Sequence, residues 1–235
     1  MCESCGCGSH GPETIVVREN LLAANDRVAA HVRKHFDAHR VLAINLMSSP
    51  GAGKTSLLEA TIAALPPGLR VAVIEGDLET ENDAERIRRR GVKAVQITTG
   101  VACHLDATMV HDALDEISLD DVDILFIENV GNLVCPADFD IGQHCNVVLL
   151  SVTEGDDKPL KYPHMFRASA LLLLNKIDLL PYLRFDVERC IAYARQVNPA
   201  IAIFLVSAQT GKGMSEWYGW LTTLVAGLPG RKAAP

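Results

Sequence analysis

The sequence is short of three things. Aromatic residues make up 5% of its 235 residues, no apolar run exceeds the seven residues 200–206, and positive charge is in deficit. A membrane-crossing helix needs about 20 apolar residues, so no membrane span is expected. Lys plus Arg number 22 against 29 Asp plus Glu, a net charge of −7. That balance argues against non-specific nucleic-acid binding, while leaving room for a local basic patch. The opening MCESCGCGSH has neither a cationic region nor an apolar stretch, so no secretory signal is read there and a cytoplasmic protein is expected.

What the chain does have is seven cysteines. An odd number in a reducing compartment does not form a disulfide framework. Cys2, Cys5 and Cys7 fall where no core can use them, and that placement suggests metal ligands.

Residues 1–12 are rich in Gly, Cys and Ser and read as a flexible tail. Residues 13–40 carry apolar positions at helical spacing (Ile15, Leu22, Val28, Ala29, Val32) and are expected to form a helix ahead of the core. From residue 41 short apolar runs recur at 41–47, 70–75, 92–97, 122–128, 146–152, 170–175 and 201–206. Most lack period-2 alternation, as strands covered on both faces do. Between them lie helix-length stretches such as 54–65, 80–90, 106–117, 186–197 and 213–227. The expected fold is α/β, a doubly wound and mostly parallel sheet, in one nucleotide-binding domain over 41–230.

The strongest motif joins the first strand to the first helix: Ser48-Ser49-Pro50-Gly51-Ala52-Gly53-Lys54-Thr55-Ser56. In such a P-loop, backbone N–H groups wrap phosphates, Lys54 reaches the β- and γ-phosphates, and Thr55 holds Mg²⁺. Ser48 stands where the motif's first glycine is usual. Gly51 and Gly53 let the backbone approach where a Cβ would intrude. At the far end, Asn175-Lys176-Ile177-Asp178 follows the strand LLLLN. A carboxylate at Asp178 accepts from the guanine N1–H and exocyclic amine, a donor pair adenine lacks. Ser207 and Ala208, after the last strand, offer a backbone N–H to the guanine carbonyl. These motifs sit in order at strand C-termini, where α/β sheets bind ligands, so the expected nucleotide is GTP.

Two strands end in acids, at Glu75-Gly76-Asp77 and at Glu128-Asn129-Val130-Gly131. Asp77 or Glu128 is expected to orient Mg²⁺-bound water, and the Gly131 N–H to sense the γ-phosphate. No Gln stands beside Gly131 to position the attacking water, so slow, switch-type hydrolysis is expected.

Together SSPGAGKT, EGD, E-x-x-G, NKID and the N-terminal C-x-x-C-G-C resemble the HypB family, nickel-incorporation GTPases of [NiFe]-hydrogenase maturation within the SIMIBI class. The resemblance implies a GTP-promoted homodimer, a HypA-type accessory partner and the hydrogenase large-subunit precursor as recipient. It implies a tight nickel site at Cys2, Cys5 and Cys7. It also implies a second, weaker site at Cys103, His104 and Cys135, where Zn²⁺ is an alternative occupant. Cys103 and His104 lie in an expected loop where both side chains can converge, and Cys135 follows Gly131 by four residues. Three ligands per chain leave a tetrahedral or square shell open, to be completed across a dimer. Thiolate softness alone does not choose among Ni²⁺, Zn²⁺ and Cu⁺ for the tail. Two other readings stay open here: a GTPase chaperone of the urease accessory type, and a P-loop small-molecule kinase with a structural zinc site. Cys145 and Cys190 read as core thiols, and His111 and His144 as surface or supporting residues.

Overall fold

The computed structural model describes residues 12–78 and 81–229. Cys2, Cys5 and Cys7 lie outside the described residues. A seven-stranded sheet in the order β3-β2-β4-β1-β5-β6-β7 forms the centre, and every pairing in it is parallel. The strands are β1 (Leu42–Ser48), β2 (Val71–Asp77), β3 (Lys93–Thr98), β4 (Ile124–Glu128), β5 (Cys145–Ser151), β6 (Leu171–Asn175) and β7 (Ala202–Leu205). β1, β4 and β6 are buried along their whole length, which is why their sequences run apolar without alternating.

Helices cover both faces. On one, α2 (Lys54–Ala64), α3 (Asn82–Arg88) and α8 (Met214–Ala226) bury Leu57, Leu58, Ile87, Trp217 and Leu221 against the sheet. The Trp217 indole N–H donates to Thr61 Oγ1 at 2.9 Å, so the largest core side chain leaves no polar atom unpaired. The other face has two patches. α1 (Pro12–His39) and α4 (Ala107–Ala113) bury Val32, Phe36 and Val110 over β1, β2 and β4. Beside them α6 (Pro163–Arg167) and α7 (Val187–Val197) bury Met165, Phe166, Cys190 and Ala194 over β5 and β6.

The N-terminal helix is part of this core. Asn25, Ala29, Val32 and Phe36 are buried at helical spacing along α1. Asn25 Nδ2 donates to the Asp140 carbonyl at 2.7 Å, and Asn25 Oδ1 accepts the Ala107 N–H at 2.9 Å. The helix is thereby fixed to the start of α4. Two short helices, α5 (Lys158–Lys161) and α6, stand where the sequence showed no period. Each spans about one turn and carries a proline in that turn, Pro159 or Pro163, too short for apolar spacing to register. Because all strands run in one direction, the loops after β1, β2, β3, β4, β6 and β7 emerge along a single edge.

Candidate functional site: a nucleotide cleft and a thiol–imidazole cluster

The P-loop turns from β1 into α2. Gly53 caps α2 with φ +102° and no side-chain cap, so the first-turn N–H groups face the cleft, an arrangement suited to an anion. Lys54 is buried and its Nζ donates to Ser48 Oγ at 3.1 Å. The residue at the motif's first-glycine position therefore holds the lysine in place. Lys54, Glu75, Gly76, Asp77, Asp83, Glu128 and Gly131 line a cavity of about 230 Å³.

Two carboxylates meet in that cavity because of register. Glu75 on β2 pairs directly with Glu128 on the neighbouring parallel β4, so both side chains leave the same face. Burial and the Glu128 charge hold the Glu75 carboxyl well above its ordinary range. Burial also raises Glu128, with Lys54, 3.8 Å away, opposing it. Thr55 Oγ1 donates to Glu128 Oε1 at 3.0 Å. Among the described residues, Glu75 Oε1 and Glu128 Oε2 are buried with no hydrogen-bond partner. Such a place is short of positive charge, and hard oxygen donors beside a P-loop threonine fit Mg²⁺.

This pair yields a pH prediction. Glu75 has a folded-state pKa raised above 4.5, its ordinary value. The folded chain then holds a proton that the unfolded chain releases, and stability falls as pH climbs from about 4.5 through the raised value. In Mg²⁺-free buffer Glu75→Gln is expected to remove most of that slope and to stabilise the protein near neutral pH. The expected gain is on the order of 1 kcal/mol, the usual scale of a single substitution. Urea titrations between pH 4 and 8, run on both proteins, measure it; equal slopes contradict it.

At the other end of the P-loop, Asn175, Lys176, Asp178, Leu179, Ala208 and Gln209 surround a second cavity of about 230 Å³ with Gly53 and Ser56. Ser207 Oγ donates to Asp178 Oδ1 at 2.5 Å and fixes that carboxylate. Lys176 has φ +63°, which aims its stem along the P-loop so that Nζ donates to the Gly51 carbonyl at 2.6 Å. Asn175 Nδ2 donates to the Ala52 carbonyl at 3.0 Å. Asn175 Oδ1 accepts the Ala208 N–H at 3.2 Å, while the Ser207 N–H closes its own turn onto Lys212. The carboxylate and the backbone N–H expected at the base thus flank one pocket.

The loop after β3 carries Cys103 and His104, and the loop after β4 carries Cys135. The ligand atoms of these three residues lie within 4.8 Å of one another. Cys103 Sγ is 2.9 Å from Cys135 Sγ and 3.7 Å from His104 Nδ1. The His104 ring stacks on Phe139 with centroids 4.0 Å apart, which fixes its orientation. Burial pushes the His104 imidazole below its ordinary value, keeping it neutral and able to ligate. Contact with Cys103, followed by burial, pushes the Cys135 thiol up, so a bound cation would displace protons. A neutral imidazole with two thiols suits Zn²⁺ or Ni²⁺ and leaves a shell position open.

One loop touches both sites. Asn129, directly after Glu128, is buried, and its Oδ1 accepts the Leu105 N–H at 3.1 Å and the Val130 N–H at 3.0 Å. Its Nδ2 donates to Asn45 Oδ1 at 3.1 Å, and Asn45 passes the chain on to Asn146 at 2.9 Å. Leu105 follows His104 and lies over Gly76, where an added Cβ would come within 2.8 Å of it. Gly131 lies against the P-loop, and a Cβ there would come within 3.0 Å of Pro50 backbone. Asn45 is the polar residue inside the apolar run 41–47, a signal the pattern offered and the sequence reading passed over. Asp156 pairs with Arg189 at 2.6 Å, and Lys158 lies 5.2 Å from the Tyr162 ring centre. Burial pushes both the Cys145 and Cys190 thiols up to about 12, as inert core thiols would be.

Residues 42–205 match the family model described as "CobW/HypB/UreG, nucleotide-binding domain". The chain is 56% identical over 221 residues to the hydrogenase maturation factor HypB of Escherichia coli, covering 92% of this chain and 76% of that protein. It is 59% identical over 207 residues to the HypB of Azotobacter vinelandii, covering 87% and 68%. Among solved structures, Helicobacter pylori HypB in complex with nickel aligns with a TM-score of 0.82 at 41% identity, over 86% of this chain and 95% of that one. The signal recognition particle receptor FtsY of Elizabethkingia anophelis aligns at 0.51 and 15% identity, over 84% and 73%, a likeness of fold alone.

Proposed function

The chain belongs to the HypB hydrogenase maturation factors, and from that membership we propose that it is a GTP-hydrolysing nickel metallochaperone acting through a GTP-dependent dimer. The observation that carries the reading is the Asn129 junction, which bonds the nucleotide loop to the residue after His104.

In this reading Lys54 leaves Ser48 for the β- and γ-phosphates, and Asp178 selects guanine, with the Ala208 N–H turning from Asn175 to the guanine carbonyl. Thr55, Asp77 and Glu128 would hold Mg²⁺, which would supply positive charge against that developing on the transferred phosphoryl group. Asp77 or Glu128 orients a water whose oxygen bonds to the γ-phosphorus as the bond to GDP breaks, giving GDP and phosphate. With no glutamine beside Gly131, this step is slow. Loss of the γ-phosphate frees the Gly131 N–H, and the movement reaches Cys135 along the same segment and Leu105 through Asn129.

Nickel is the cargo. Cys103, His104 and Cys135 take it in one nucleotide state and release it in the other, and Cys2, Cys5 and Cys7 form a second, tighter site. Val101 is fully exposed and Val134 more than half exposed, apolar residues close in the chain to Cys103 and Cys135. That placement supports a partner protomer closing over the metal and completing its shell. The HypA-type partner and the large-subunit precursor follow from the family resemblance. A HypB relative solved in complex with nickel supports nickel as the cargo.

Incubation with GTP and Mg²⁺ is expected to release free phosphate at a low rate and to phosphorylate no added small molecule. Lys54→Ala is expected to reduce that rate at least about a hundredfold, as loss of a preorganised charge at a transferring phosphoryl group does. Phosphate release unchanged in the variant, or no release from the native chain, contradicts the assignment.

A further inference from the structure

Four imidazoles lie along a face that neither site above uses, three on α1 and one on α4. His31, His35 and His39 recur every fourth residue on α1, which places them on one side of that helix. His31 Nε2 and His35 Nε2 are 3.0 Å apart. Two nitrogens bound to one ion at about 2.05 Å stand roughly 2.9 Å apart at a right angle and roughly 3.3 Å apart at the tetrahedral angle. The observed separation falls within that span.

His111, on α4, supplies a donor from a second element. Its ring centre is 5.7 Å from that of His31. His111 Nδ1 lies 3.2 Å from Asp112 Oδ1, leaving Nε2 as the ligating atom. A carboxylate on the outer nitrogen is the arrangement that orients metal-bound histidines. A cavity of about 260 Å³ runs from His35 and His111 to His39, Asp115 and Asp120, with room for water ligands. α1 and α4 are held together by Asn25, so the His111 side chain stays beside the His31–His35 pair, to close on it as an ion binds.

We propose that this α1–α4 face binds one divalent transition-metal ion through His31, His35 and His111. An all-imidazole set selects Ni²⁺, Cu²⁺ or Zn²⁺ over Mg²⁺ or Ca²⁺, which prefer oxygen. Bound there, the ion staples α1 to α4, whose first residue is three positions beyond His104. The site is independent of the cysteines and of the nucleotide.

The test uses the full chain with Cys2, Cys5, Cys7 and Cys103 all replaced by Ser, Ni²⁺ alone as the probe, and equilibrium dialysis with metal analysis. This chain is expected to retain one saturable nickel equivalent. Adding His31→Gln and His35→Gln removes that equivalent, and His111→Gln weakens it. In the chain with native cysteines, the same histidine pair is expected to remove one equivalent while GTP affinity stays unchanged. His31 and His35 are exposed, so their replacement leaves the core alone. No saturable nickel binding in the cysteine-replaced chain, or full stoichiometry in the His31→Gln/His35→Gln chain, overturns the proposal.

Discussion

Asp178→Ala is expected to weaken GTP binding on the order of a hundredfold and to erase its preference over ATP. Asp178 is the one carboxylate in the pocket at the base end of the P-loop, and Ser207 fixes its orientation. Two hydrogen bonds from guanine to a charged acceptor contribute about 3 kcal/mol together, which converts to that factor. The phosphate end is untouched: Lys54 lines the other cavity, with Glu75 and Glu128. ATP affinity is therefore expected to stay low and nearly constant, because adenine never used the carboxylate. Calorimetry with both nucleotides on native and variant chains measures this. Unchanged GTP affinity in the variant would contradict the guanine assignment.

The second large effect concerns the thiols. With Cys2, Cys5 and Cys7 replaced by Ser, Cys103→Ala is expected to lower metal affinity more than about a hundredfold, beyond the loss caused by removing an outer-shell partner. Cys103 is the centre of its cluster: its sulfur is the atom within 3.7 Å of both other donors. Its loss leaves His104 and Cys135 without the group that joins them. Because Cys103 is only half-buried, the fold is expected to survive, with urea midpoints close to the parent's. Nickel titration followed by thiolate-to-metal absorption reads the effect. Retained stoichiometric binding would remove Cys103 from the ligand set.

These residues were not equally legible in the sequence. The P-loop and Asn175-Lys176-Ile177-Asp178 were readable because each packs its chemistry into a few consecutive residues at a strand end. β1, β4 and β6 were readable because burial on both faces demands unbroken apolar runs. The Cys103–His104–Cys135 cluster came from family resemblance, since its members are 32 residues apart and their meeting depends on two loops. The Glu75–Glu128 contact needed the pairing of β2 with β4, and no local pattern encodes which strands become neighbours. Asn129 stood inside a motif yet gave no hint that its side chain reaches the Leu105 N–H. The histidines of α1 showed a spacing of four, but only the packing of α4 brings His111 to them.

The central claim is that nucleotide and nickel share one loop, so each must change the other's affinity by the same factor. The direct measurement is a nickel titration of the chain with Cys2, Cys5 and Cys7 replaced by Ser, made with GDP and with a non-hydrolysable GTP analogue while oligomeric state is followed. Nickel affinities are expected to differ at least about tenfold between the two, roughly 1.4 kcal/mol of coupling. Dimerisation in the tighter state and loss of the difference in Cys103→Ala are also expected. Equal nickel affinity in both nucleotide states would contradict the claim.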